Sequence, residues 1–141
     1  MDQSRRVFYA READLPVAAF RQVLIESGLG AIRPIEDEAR LQAMLSAADL
    51  VVTARLDGPQ GELVGVARCV TDFCWCCYLS DLAVSPRTQG QGVGRGLLDE
   101  TRRQLGPQVA LMLASVPEAA GFYESVGMER VADAFWYRRA T

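Results

Sequence analysis

Four glycines, Gly90, Gly92, Gly94 and Gly96, fall within seven residues of one another. They lie between an apolar run ending at Val84-Ser-Pro86 and an amphipathic segment that reaches Leu105. A strand that passes through such a loop into a helix presents backbone amides with no internal acceptor, together with the positive end of the helix dipole. Glycine lets that backbone approach a ligand closely, so the segment reads as an anion cradle suited to phosphate. It is not the dinucleotide pattern, because Gly90, Gly92 and Val93-Gly94-Arg95 do not give G-x-G-x-x-G. A Walker loop is excluded as well, since position 95 is Arg and the chain contains no Lys.

Composition narrows the remaining chemistry. There is no His, no Lys and no Asn, and all 15 cationic side chains are Arg. Schiff-base formation, Ser-His-Asp and Cys-His nucleophiles and histidine-ligated metals are therefore ruled out. Carboxylates, Tyr, Cys, Ser, Arg and backbone amides are left to act. Cys74, Cys76 and Cys77 form a C-x-C-C cluster with Cys69 upstream, but no second ligand pair follows, and adjacent Cys76 and Cys77 point to opposite faces of a strand. The cysteines read as buried, reduced thiols rather than a metal or disulfide site. A formal charge of -3 argues against a nucleic-acid surface and suits amine partners. With no apolar run of membrane-spanning length and no signal-peptide pattern at the N-terminus, the chain reads as cytoplasmic, without membrane association.

The elements that must position these residues follow from periodicity. Arg6 to Arg11 alternates as a strand, and Asp14 reads as the N-cap of a helix carrying Val17, Phe20 and Leu24 and closed by Gly28. After the loop Gly28 to Pro34, Glu36, Asp37 and Glu38 open a second helix with Leu41, Met44, Leu45 and Ala48 on its apolar face. Leu50 to Leu56 and Glu62 to Thr71 form a hairpin around Asp57-Gly-Pro-Gln-Gly61, and the second run is apolar on both faces, as in a sheet covered on both sides. Trp75 to Val84 is a further strand. The helix from about Gly92 to Leu105 turns Val93, Leu97, Leu98, Thr101 and Leu105 inward. Gln108 to Leu113 is a short buried strand. Ser115-Val-Pro-Glu118 reads as a capping box opening a helix with Ala119, Phe122 and Val126 on one side, and Met128 to Val131 and Ala134 to Arg139 are expected to close the chain as two strands. The order βααβββαβαββ gives an α+β class with a mixed sheet, residues 1–141 forming one domain.

Gln89-Gly-Gln-Gly-Val-Gly94 matches the Q/R-x-x-G-x-G/A phosphate loop of the GNAT superfamily of N-acetyltransferases, and Asp81-Leu-Ala-Val-Ser-Pro86 looks like the strand that leads into it. Ala119-Ala-Gly-Phe-Tyr-Glu-Ser-Val-Gly-Met128 is similar to that family's A-x-x-F-Y-E-x-x-G-F segment. The resemblance covers nearly the whole chain, from Val7 to Arg139.

What the resemblance implies is acetyl-CoA, as co-substrate and without a metal, bound between two splayed parallel strands. The backbone of Gln89, Gly90, Gln91, Gly92, Val93, Gly94 and Arg95 would hold its pyrophosphate, and the edge of Leu82, Ala83 and Val84 would pair with its pantetheine amides. A primary amine, on a small molecule or a protein, would attack the thioester directly, and Tyr123 would be the general acid for the departing thiolate. Many relatives carry a Glu base on the preceding strand; Tyr78 and Ser80 align with it here, while Asp81 is read either as a catalytic group or as a structural one. Val116 stands where relatives often have a cofactor-contacting Asn. Glu36, Asp37 and Glu38 read either as charges complementing a helix dipole or as acceptor recognition. The protein is expected to act as a monomer or homodimer; the alternative to an enzyme is a non-catalytic acyl-CoA sensor.

Overall fold

The structure is a computed structural model that describes residues 6–141. A single sheet runs in the order β1 (Val7–Arg11), β2 (Leu50–Leu56), β3 (Leu63–Thr71), β4 (Cys76–Val84) and β5 (Ala110–Met112). The first four strands are antiparallel neighbours, and β5 joins β4 in parallel. The helices are α1 (Val17–Ser27), α2 (Glu38–Ala47), α3 (Val93–Leu105) and α4 (Ala120–Ser125). Among the described residues no helix is long and apolar enough to cross a membrane.

Two cores lie on opposite faces of this sheet. Against α3 pack Leu50, Val52, Ala54, Leu56, Val64, Ala67, Cys69, Cys77 and Leu79. Against α1 and α2 pack Val51, Val66 and Ala83, which meet Phe20, Val23, Leu24, Leu41 and Leu45. The alternation along β2 is the direct cause, because residues two apart share a face and both faces are covered. All five apolar or small residues assigned inward on α3, from Val93 to Leu105, are buried. The turn between β3 and β4 is closed by Asp72, whose Oδ1 accepts from the amides of Cys74, Trp75 and Cys76. Those donors hold its carboxyl down at about 2.

Several expectations need correction. Helix α1 is capped by the backbone of Pro16, without a side-chain cap, so Asp14 lies too far upstream to serve. No capping box forms at Ser115: Pro117–Ala119 makes a short 3-10 turn preceded by Val116, and α4 starts only at Ala120. The two closing strands do not form either. Beyond the bond from the Met128 amide to the Tyr123 carbonyl, no ladder among the described residues takes up residues 129–141. Alternating side chains need a paired edge to become a strand, and β5, three residues long, offers little edge to pair with. Phe135, Trp136 and Tyr137 are accordingly exposed, at 92%, 69% and 104%. The cysteines divide: Cys69 and Cys77 are buried as expected, whereas Cys74 and Cys76 are exposed.

Helix α3 sits so close to β1 that a Cβ on Gly96 would lie 2.1 Å from the Tyr9 hydroxyl oxygen. Gly96→Ala should therefore cost about 1–3 kcal/mol by overpacking, read as a lower urea midpoint at unchanged slope. Truncating the obstacle, as in Tyr9→Val/Gly96→Ala, should make the Gly96→Ala step nearly free; an undiminished penalty in that background would mean the contact is not the cause.

Candidate active site

Strand β4 carries the site because it is paired along only part of one edge. On the β3 side it is bonded from Cys77 to Val84, but on the β5 side only Cys76, Cys77 and Tyr78 have partners. From Leu79 onward the two parallel strands separate and leave an open main-chain edge. The amide of Ser85 donates to Val64 on β3. Counting back by the two-residue alternation, the amides of Leu82 and Val84 face the open side. These are the groups an extended ligand would pair with.

The strand then passes through a turn at Pro86–Thr88 into the glycine loop. The four glycines prove to have three different jobs. Gly90 and Gly92 have φ of +84° and +71°, the left-handed region that favours glycine, and Gly92 is the N-cap of α3. A Cβ on either would meet nothing within 4 Å, so the space above them is open. Gly94 instead faces α4, where its Cβ would lie 2.9 Å from the Phe122 ring, and Gly96 faces Tyr9. Within the expected cradle, the amides of Gln89 and Gln91 already donate to Pro86 and Thr88. The first helical bond runs from Gly96 to Gly92, which leaves Val93, Gly94 and Arg95 without intrahelical acceptors.

A bulge precedes the open edge. Arg68 of β3 pairs with Asp81, but its neighbour Cys69 pairs with Leu79, so Ser80 is the extra residue. The bulge inverts the facing of side chains along β4. Leu79 and Leu82 both belong to the α3 core, whereas Ala83 belongs to the α1/α2 core, and Asp81 falls on that second face. It has no solvent exposure. Its Oδ1 accepts from Arg33 Nε at 2.6 Å and its Oδ2 from Arg68 Nε. Arg33 Nη2 donates to the Ser80 carbonyl at 2.8 Å, and Arg68 Nη2 to the Ser80 hydroxyl at 2.9 Å. Both carboxylate oxygens are thus engaged by guanidinium groups. The sequence reading missed Arg33, Arg68 and this role for Ser80; an Arg within an otherwise apolar β3, one strand away from an Asp, was the available signal.

Tyr123 is half-buried on α4 and packs against the α3 core, its ring edge-on to Phe122 at 5.1 Å. Burial pushes its phenol above the ordinary value. Tyr78 is exposed on β4. Of the acidic run, Asp37 caps α2 by accepting from the Arg40 amide and Glu38 lies 3.7 Å from Arg21, so both have structural employment. Val116 is partly exposed ahead of α4.

The described geometry coincides with a known architecture. The model of the GNAT acetyltransferase domain matches residues 46–130, which take in β2 to α4. A chloroplastic GCN5-related N-acetyltransferase of Arabidopsis thaliana is 29% identical over 82 residues, 54% of this chain and 32% of that protein. The chain spans between about a third and a half of the length of the curated relatives it matches. A GNAT-family acetyltransferase of Streptococcus pneumoniae superposes with a TM-score of 0.68 at 26% identity, covering 95% of this chain and 99% of the other. An aminoglycoside N-acetyltransferase solved with CoA shares the fold at a TM-score of 0.71 and 16% identity, covering 100% and 99%. With more than half its length inside the family model and the glycine loop, open strand and α4 segment in the family's order, the chain belongs to the GNAT family of acetyltransferases.

Proposed function

We propose that the protein transfers the acetyl group of acetyl-CoA to a primary amine by direct attack in a ternary complex. The observation that carries this reading is continuity: one strand offers unpaired main-chain groups at Leu82 and Val84 and then leads, through Gly90 and Gly92, to the free amides at the start of α3. An extended amide-bearing chain that ends in a pyrophosphate fits both parts at once. We assign the pyrophosphate to the Gly92–Arg95 turn, with Gln89, Gly90 and Gln91 shaping it, and the pantetheine to the edge of Leu82, Ala83 and Val84.

In the transfer, the neutral amine nitrogen attacks the thioester carbon and the C–N bond forms. The oxyanion that develops is met by a main-chain amide near Leu82. As the C–S bond breaks, the thiolate takes the Tyr123 phenolic proton, the surplus proton of the new ammonium passes to water, and water returns a proton to the Tyr123 phenolate, so that no net proton is released. A Tyr phenol carries its proton at neutral pH even in water, and burial of Tyr123 shifts it further in that direction. Asp81 is assigned no proton, since two guanidinium groups occupy it. That same occupation is what favours the second reading, an acyl-CoA-binding module without turnover.

Acetyl-CoA at about 100 times its dissociation constant should stabilise the fold by about 2.7 kcal/mol, seen as a raised melting temperature. Gly92→Val should abolish most of that increment, measured against the variant's own unliganded melting temperature so that backbone strain is separated from lost binding. An intact increment in Gly92→Val would place the anion elsewhere.

Tyr123→Phe retains the ring's packing and removes only the proton donor. It should lower kcat by about 10- to 100-fold, at or below the bottom of the usual range of about 100- to 10,000-fold for general acid catalysis because a CoA thiol is a fair leaving group, while acetyl-CoA affinity and melting temperature stay unchanged. Full turnover, with chemistry shown to limit the rate, would make Tyr123 a packing residue; no turnover by the wild type on any amine would favour the sensor.

A further inference from the structure

The guanidinium of Arg33 does more than neutralise Asp81. Arg68, from the adjacent strand, already supplies one cation to one carboxylate. Arg33 comes from elsewhere, the loop between α1 and α2, and bonds both residues of the bulge: Asp81 through Nε and the Ser80 carbonyl through Nη2. That carbonyl belongs to the residue the bulge leaves without a cross-strand partner. A third bond, from Nη1 to the Ile32 carbonyl at 3.0 Å, fixes the guanidinium to its own loop. The fork geometry of Arg makes three such directed bonds possible, where Lys presents only a point charge.

We propose that Arg33 is a positioning residue for acyl transfer, tethering the α1–α2 loop to the β4 bulge so that the acceptor is held at a fixed distance from the acyl group. This rests on the acetyl-transfer reading above, in which the Leu82 amide meets the acyl oxygen: the bulge immediately precedes that amide, and Arg33 holds the α1–α2 loop directly against the bulge. The tether is rigid because its anchor is a fully buried carboxylate that Arg68 independently fixes to β3. Removing Arg33 leaves Asp81 and Arg68 as a balanced pair, so the sheet persists. What is lost is registration between two parts of the chain 48 residues apart.

Arg33→Met and Arg33→Lys in the full chain test this with two readouts. Hydrogen exchange of the unliganded protein should accelerate by at least about tenfold in both the loop at residues 29–37 and the bulge at residues 79–82 of Arg33→Met, with α3 and β2 unaffected and with partial recovery in Arg33→Lys. In steady state, kcat/KM for the amine should fall by about 10- to 100-fold while the KM for acetyl-CoA stays within about twofold, again with partial recovery in Arg33→Lys. Acceleration confined to the loop, or unaltered amine kinetics with a loosened bulge, would overturn the proposal. If Arg33→Met does not fold, Arg33→Lys carries both measurements. A wild type inactive on every amine would reject the acetyl-transfer reading and the positioning role with it, while exchange would still report whether Arg33 ties loop to bulge.

Discussion

A carboxylate removed from water must be met by donors, and wherever the donors sit the chain is drawn together. Asp81 is such a group. It pulls Arg68 across from β3 and Arg33 in from the loop after α1, and the carbonyl and hydroxyl of Ser80 complete the cluster. The bulge at Ser80 makes this possible, because in an unbroken ladder, with Ser80 paired in turn, Asp81 would share the face of Leu79 and lie against the apolar α3 core. A local irregularity of one strand thus decides which face receives the charge, where the α1–α2 loop rests, and how β4 is aimed as it leaves the bulge.

Downstream of that point the fold turns to making main-chain groups available. Most strands spend their amides on neighbours, but β4 beyond Tyr78 has a neighbour on one side only. The glycine loop continues the theme, since it ends in helix-terminal amides that no residue within α3 can satisfy. Its glycines are not equivalent: Gly92 serves the backbone conformation, whereas Gly94 and Gly96 let α3 dock against Phe122 and Tyr9. Substitution of either docking glycine perturbs packing first, so loss of function there is no evidence of lost ligand contact.

Much of this was legible in the sequence, for definite reasons. The strands β2, β3 and β4 carry long β-branched and apolar runs, and α3 has a strong 3.6-residue stripe, so burial alone dictated their type and nearly their ends. The glycine loop announced itself by composition. Less legible was whatever depends on partners distant in sequence. No local pattern reveals that β4 skips a residue at Ser80, and the pairing of Arg33 with Asp81 exists only after the sheet has formed. Strands are expected at Met128 to Val131 and Ala134 to Arg139, but a local run of strand-forming residues does not specify a partner, and the ladder that would realise them is absent from the described residues.

The most direct test of the account is the stability of Asp81→Asn. If Asp81 is the buried anchor of two guanidinium groups, the amide leaves two cations facing a neutral side chain, and chemical denaturation should show a loss of about 3–5 kcal/mol whether or not any substrate is present. A variant that keeps the wild-type denaturation midpoint yet loses acetyl transfer would contradict it, because Asp81 would then be acting on a proton rather than holding the strand.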